Sequence, residues 1–563
     1  MVVGLLGAGL GLGVGACDRT PPTSRPPAAT AGPCDDFELD VERIWDTSRR
    51  REVSEGLREF AGETQTTHVE RIVTKMDAIT SDWVMMSERA CKDTLVRKTM
   101  PEEVYVRVSL CLNAALVQQR TLVTQLDAVD RSSYEHLDGA LGDIAEAMAS
   151  CQNDAVLAYY QAPEDTADAA AAQTADDKTA EAKVLLALGR SDAASGLLAD
   201  AEVAAKQSGD PRRELDAAVV ACEHALLEGD YADAIAHATP ALGQAQRLGY
   251  VVGEADALIC LGTAKLRQGD YPEARRRLEA SLKQRDGVFG AEHPRVADAH
   301  NRLGNLEAAL ADYAAAQRHY QRALAIWEAS FGPEDPITSR AYHNLGFVHV
   351  GLDDLAGATT WYRKALAAET AALGPEHPAT ALTEANLATV LIRQGQLDEA
   401  AGLLTHASEV QARTLPERHP ERAVTLHGQG ELAAARGEHA EALKRFGAAL
   451  ELRVTALGER HLDTAKTEDA LASTHLRLLD YAQATTYAER ALATREALLG
   501  PANLLTATSY FNLGLICEKR KRYADALGYY ERSLVVDEQL RGAAHALTKQ
   551  TRAAVERLRD LVR

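Results

Sequence analysis

Apolar side chains fall three and four residues apart along most of this chain, the spacing that lines one face of an α-helix. Val69, Ile72, Val73, Met76, Ile79 and Trp83 make one stripe, and Val104, Val108, Cys111, Ala115, Leu122 and Leu126 make another. They predict a small bundle of about four helices over residues 36–162, without internal repetition. The following stretch, PEDTADAAAAQTADDK (163–178), is poor in large apolar residues and predicts a linker over 163–174. From 175 onward the stripes come in pairs. In the unit near 339, Leu345-Gly346 belong to a first helix and Asp353-Asp354 to a turn. Ala358, Tyr362, Ala365 and Leu366 then mark one face of a second helix.

The pairs recur in phase. Residues 331–350, FGPEDPITSRAYHNLGFVHV, are echoed forty-two residues later by LGPEHPATALTEANLATVLI. Glycines at 290, 332, 374, 458, 500 and 542 lie multiples of forty-two apart, with Pro416 in the vacant slot, and Gly269, Gly229 and Gly189 continue upstream at forty. Gly374 predicts a left-handed residue ending one helix, and Pro378 opens the next where its missing N–H costs nothing. Small residues at 304, 346, 388, 430, 472 and 514 predict close helix approach. One pair cannot bury its apolar face alone, so stacking is required. Leu-Gly in the first helix, then Ala, Tyr or Phe, and Ala in the second, resembles the tetratricopeptide repeat. The G-x-x-H-P junction resembles the kinesin-light-chain type of that repeat. The resemblance implies an all-α fold: a right-handed α-solenoid of nine repeats over 175–541, preceded by the helical bundle and closed by a capping helix over 542–563. The first two repeats depart from the pattern, with Glu181-Ala182 and Ala221-Cys222 replacing Leu-Gly and Pro240 interrupting a second helix.

The first sixteen residues, MVVGLLGAGLGLGVGA, carry no charge. They are short of the roughly twenty a spanning helix needs, and they lack the positive start of a signal peptide. Val14-Gly15-Ala16-Cys17 resembles a bacterial lipoprotein cleavage box, which implies lipidation of Cys17 and attachment to a membrane through the N-terminus. A partial membrane helix is the alternative, and neither is a third. Residues 17–35 form a Pro-rich spacer. Cys34, Cys91, Cys111 and Cys151 all fall in the bundle, as two disulfides if the domain is exported or as four buried thiols if it is cytosolic. Cys222, Cys260 and Cys517 lie in first helices, where packing accounts for them. The order of apolar segment, spacer, Trp/Cys-containing bundle and repeats resembles the region following the membrane helix of myxobacterial Hanks-type serine/threonine kinases. PCDDFELDVERIWD (33–46), DWVMMSERAC (82–91), Val108 to Cys111-Leu112 and IAEAMASC (144–151) carry that resemblance. It implies an extracytoplasmic location and a kinase signalling partner. The catalytic half is absent: the chain has no H-R-D, no D-F-G and no Gly-rich loop with its strand lysine.

A formal charge of −21 argues against a nucleic-acid surface. His293, His377, His419, His461 and His545, with Asp335 and Asn503 in the same slot, recur once per repeat. Stacking sets such residues about 10 Å apart, whereas metal ligands converge within about 2 Å of one ion. They read as helix caps, and no metal or cofactor is expected. No H-E-x-x-H, G-x-S-x-G or P-loop is present, so the chain reads as non-catalytic. The kinesin-type resemblance implies that first helices line a concave groove and that the residue before the Leu faces it. That slot holds Asn344, Asn386 and Asn512, with Asn301 and Asn305 nearby. A carboxamide both donates and accepts, so a row of them can hold an extended peptide backbone; the same amides can instead bond to neighbouring helices. Arg340, His343 and Arg393 add selectivity for acidic groups. Breaks at Gly428 and Ala470 put the binding stretch at 297–414. The expectation is a membrane-tethered, extracytoplasmic scaffold for a protein or peptide partner. The alternatives are a regulatory region of a receptor-type kinase system and a cytosolic regulatory repeat protein.

Overall fold

The computed structural model describes residue 34 and residues 37–61, 66–129, 131–158, 160 and 168–562. The N-terminal apolar segment, Cys17 and all of the spacer but Cys34 lie outside these residues. Within them the chain is helical, with no strand. A first body comprises α1 (Phe37–Glu42), α2 (Thr47–Ala61), α3 (Thr66–Cys91), α4 (Glu102–Gln125) and α5 (Arg131–Ser150). The α3 stripe is its core: Val69, Ile72 and Met76 are fully buried, and the Trp83 indole donates to the Leu112 carbonyl at 2.8 Å. Two disulfides, Cys34–Cys91 and Cys111–Cys151, join its helices.

Nine antiparallel helix pairs follow among the described residues. Repeats 1 to 3 pair Ala169–Ala187 with Ser191–Ser208, Pro211–Glu228 with Tyr231–Leu248, and Val251–Arg267 with Tyr271–Phe289. Repeats 4 to 6 pair Pro294–Ala309 with Tyr313–Phe331, Pro336–Gly351 with Leu355–Leu373, and Pro378–Arg393 with Leu397–Thr414. Repeats 7 to 9 pair Pro420–Ala435 with His439–Leu457, Leu462–Arg477 with Tyr481–Leu499, and Leu504–Lys519 with Tyr523–Leu540. The helix Ala546–Val562 covers the last pair.

Three details differ from the sequence expectation. The first pair begins at Ala169, inside the stretch expected to be linker. Asp168 caps it by accepting from the N–H groups of Ala170 and Ala171, and alanine, the best helix former, fills the turn while burying Ala171, Ala172 and Ala175. Second, Gly189, Gly229 and Gly269 sit in the turns within repeats, not at the junctions between them. Downstream the corresponding slot is Ala311, Asp353, Gly395, Gly437, Leu479 and Lys521, every one at positive φ. The junctions are instead Gly209 and Gly249, left-handed with ψ of 7° and 22°, and later Gly290, Gly332 and Gly374, with ψ between 155° and 168°. The second form leads through two more residues before the next helix begins, which lengthens the unit from forty residues to forty-two. Third, Pro240 does not interrupt its helix, which runs unbroken from Tyr231 to Leu248 around buried Ala238, Ala241 and Leu242.

Within repeats, small residues meet large ones. A Cβ on Gly304 would lie 2.6 Å from the Tyr320 ring, and one on Gly346 would lie 2.8 Å from Tyr362. Gly430 and Gly514 stand in the same relation to Phe446 and Tyr530. The superhelix also closes on itself. Asn503, capping the first helix of repeat 9, donates its Nδ2 to the Leu310 carbonyl of repeat 4 at 2.7 Å. Leu498 and Leu499 of repeat 8 pack against the cluster containing Ile259, Leu278 and Leu303 of repeats 3 and 4. The turn edge of one coil therefore rests on the junction edge of the next.

Candidate groove site

The first helices of repeats 4 to 7 are placed by their caps. His293, Asp335, His377 and His419 each accept a hydrogen bond from the backbone N–H two residues on, and a proline follows each at the first helical position. His461, Asn503 and His545 accept in the same way. In the histidines Nδ1 is the acceptor, which requires it to be unprotonated. Burial holds His293, His419 and His461 below the ordinary imidazole value. Among the described residues no cluster of three or more His, Cys, Asp or Glu could hold a metal ion.

These helices wall a cavity of about 640 Å³. Five of the eight expected groove residues line it: Asn301, Asn305, Arg340, His343 and Asn344. The amides form a ladder between repeats. Asn344 donates to Asn301 Oδ1 at 2.8 Å, and Asn386 meets His343 Nε2 at 3.4 Å. His343 Nδ1 lies 2.8 Å from Thr383 Oγ1. Burial pushes His343 down to about 4, so the ring is neutral at pH 7. With Asn386 donating to Nε2, the proton sits on Nδ1 and is given to Thr383. Asn305 accepts from the Tyr320 hydroxyl at 2.7 Å. Asn301, Asn344 and Asn386 are thus partly used for repeat stacking, as the alternative allowed, and Asn305 for packing within repeat 4, while Asn344 Oδ1 and Asn386 Oδ1 have no partner among the described residues.

Arg340 stacks over Trp327 with its Cζ 5.2 Å from the ring centroid and makes no ion pair among the described residues. Arg302, which occupies in repeat 4 the slot of Asn344, holds Asp298 at 3.4 Å. Burial disfavours the ionised Asp298 carboxyl, but Arg302, Arg285 and Arg340 outweigh it and hold the group below the usual carboxylate range. Glu369 faces the same cavity, and burial pushes it up to about 8, so it is protonated at neutral pH. The wall therefore includes amides, a neutral acid in Glu369, a neutral imidazole in His343 and the Arg340 guanidinium, beside Arg302, Glu421, His136, His377 and His419.

Two expected residues lie elsewhere. Arg393 is exposed at the far end of its helix and pairs with Asp353 at 2.6 Å. Asn512, in repeat 9, bonds to Asp469 of repeat 8, beyond the cavity. Arg302 was legible from its phase but not singled out. His136 of α5 also lines the cavity and carried no periodic signal, since it comes from the non-repeat domain. The four bundle cysteines pair as Cys34–Cys91 and Cys111–Cys151. Cys222 and Cys260, assigned to packing alone, form a third disulfide between the first helices of repeats 2 and 3, and only Cys517 is free among the described residues. Their separation of 38 residues, close to one repeat, was the signal.

The tetratricopeptide-repeat family matches this chain at 253–329, 295–368, 338–413, 421–497 and 463–539. No curated protein matches. Among solved structures, BtubC (BKLC) from P. vanneervenii is 18% identical over 40% of this chain and 91% of its own, with a TM-score of 0.34. Kinesin-light-chain-type repeats from Podosopora anserina are 22% identical over 35% of this chain and 94% of theirs, with a TM-score of 0.31. The apo quorum sensor NprR from B. thuringiensis is 15% identical over 70% of this chain and 99% of its own, with a TM-score of 0.48.

Proposed function

We propose, on the premise that this chain carries tetratricopeptide repeats over 253–413 and 421–539, that it is a protein-interaction scaffold taking an extended peptide segment in the groove of repeats 4 to 7. The observation that carries the reading is the amide wall. Consecutive first helices present Asn301, Asn344 and Asn386, with Asn344 bonded to Asn301 and Asn386 to His343 of the neighbouring helix, and two of them retain an unused carbonyl oxygen. Backbone N–H groups of an extended segment are the natural complement, and Arg340 adds one cation for an acidic side chain or a terminal carboxylate. A preformed wall also reduces the ordering cost of binding. The test is selection from a displayed peptide library on the full chain. Asn344→Ala with Asn386→Ala should weaken the selected peptides by about tenfold or more, the loss of ~1.4 kcal/mol. Unchanged affinity in that variant removes the amides from the site.

The location belongs to the same proposal. Three disulfides suit an oxidising compartment, and Cys17 after an uncharged segment suits a lipid anchor facing it. No helix of the described residues is long and apolar enough to cross a membrane. Intact mass of the N-terminal peptide from the native host checks this: a lipid-modified Cys17 is expected, and an unmodified Met1 contradicts it. A kinase signalling partner remains the finer alternative, supported by the bundle motifs alone.

A further inference from the structure

The cysteine-containing domain touches the solenoid in two chemically different ways. Toward repeats 1 and 3 the contact is mainly apolar: Val184, Leu188 and Val252 belong to the same buried cluster as Leu112, Leu141 and Ile144, and Arg190 of repeat 1 adds hydrogen bonds to Ser133 and Gln125. Toward repeats 3 to 5 it is polar and lies along the junction edge that forms the mouth of the groove. There Glu146 accepts from Arg295 at 2.6 Å, Lys75 meets Asp335 at 3.2 Å, Asn153 donates to the Val288 carbonyl at 3.1 Å, and Arg71 donates to the Ala372 carbonyl. Gly142 of α5 sits against Ile337, with 4.0 Å between its ideal Cβ and the isoleucine Cδ1. His136, on the same helix, lines the groove cavity itself.

An apolar core that continues across a boundary does not exchange with water, whereas partly exposed ion pairs and single hydrogen bonds contribute modestly and can be exchanged for contacts with water. The Cys111–Cys151 disulfide ties the end of α5 to α4, which packs on repeat 1, so the latch helix moves with its body. We infer that this domain is a lid: it hinges on repeats 1 to 3, latches through Glu146, Lys75 and Gly142 onto repeats 4 and 5, and controls access to the groove. The inference concerns regulation of the site proposed above and rests on that reading for its meaning, but its geometry requires no ligand.

The test uses the full chain with Cys17→Ser and Cys517→Ala, so that a cysteine introduced by Ala379→Cys in the cavity wall is the one reactive thiol. N-ethylmaleimide and a 5-kDa polyethylene glycol maleimide probe it without reductant. The lid predicts that the bulky reagent is strongly retarded relative to the small one. Glu146→Gln should raise the bulky rate by about tenfold, the effect of ~1.4 kcal/mol lost from closure, and leave the small rate within about twofold. Gly142→Phe tests the same latch sterically while raising helix propensity, so it opens the lid without weakening α5. Equal rates for the two reagents in the parent chain, or a bulky rate unchanged in both folded variants, overturn the lid. Neither probe is a peptide, so failure of peptide selection would leave this result standing, and the reverse also holds.

Discussion

Each small residue of a first helix faces the side chain sixteen positions on, and the two sizes compensate. Gly346 lies under Tyr362 and Gly430 under Phe446, whereas Ala472 shares its slot with Ala488, a small partner. Gly346→Ala should therefore cost about 1–3 kcal/mol by overpacking against the ring, read as a lowered midpoint in thermal or urea unfolding. Such sites were legible, because a fixed phase exposes the small position in every copy. The capping histidines were legible for the same reason, since proline follows three of them. His461→Ala should cost about 1 kcal/mol, and His461→Asn, the choice repeat 9 makes at Asn503, should cost little. Because burial lowers His461 in the folded protein from 6.5, the unfolded chain protonates first as pH falls. Its contribution is present above pH 6.5 and declines below it. The stability of His461→Asn relative to the parent should accordingly rise as pH drops from 7.5 to 5 in paired melts. The amide ladder was only half legible. Asn344 and Asn301 are 43 residues apart, one more than the repeat, so the bonded partner stands outside the phase that identified the row.

At the scale of helices, the turn within each repeat demands one residue at positive φ, and Asp353, Leu479 and Lys521 accept it where glycine is absent. That is why glycine spacing drifted between two registers in the sequence and mixed turns with junctions. The bundle helices were found from their stripes; the start of repeat 1 was not, because its buried face is alanine and carries a weak apolar signal. Cys222–Cys260 joins the first helix of repeat 2, which departs from the pattern, to that of repeat 3, which keeps its Leu-Gly pair at Leu261-Gly262. Replacing both with serine should destabilise this part of the solenoid by ~2–4 kcal/mol. Hydrogen exchange would show it as lost protection over 211–267 with 420–540 unaffected; uniform loss along the chain would mean that the repeats unfold as one unit.

At the scale of the molecule, the decisive contacts are between residues that no periodicity connects. Asn503 reaches Leu310 across 193 positions, and Glu146 reaches Arg295 across 149. A repeat pattern specifies neighbours, not the contacts made when the coil returns on itself. Leu498→Asp with Asn503→Ala should separate the two edges and raise the radius of gyration in solution scattering, with the helical signal unchanged. The cavity of about 640 Å³ is walled by the first helices of repeats 4 to 7 together with His136 of the cysteine domain, which suits a segment better than a folded surface. The most direct measurement is a hydrogen-exchange footprint of the full chain bound to a library-selected peptide. Binding in the groove predicts slowed exchange over 298–309, 336–345 and 379–387, on the first helices that carry Asn301, Asn344 and Asn386. Slowed exchange confined to the second helices, such as 313–331 and 355–373, would place the partner on the outer face and contradict the groove as the site.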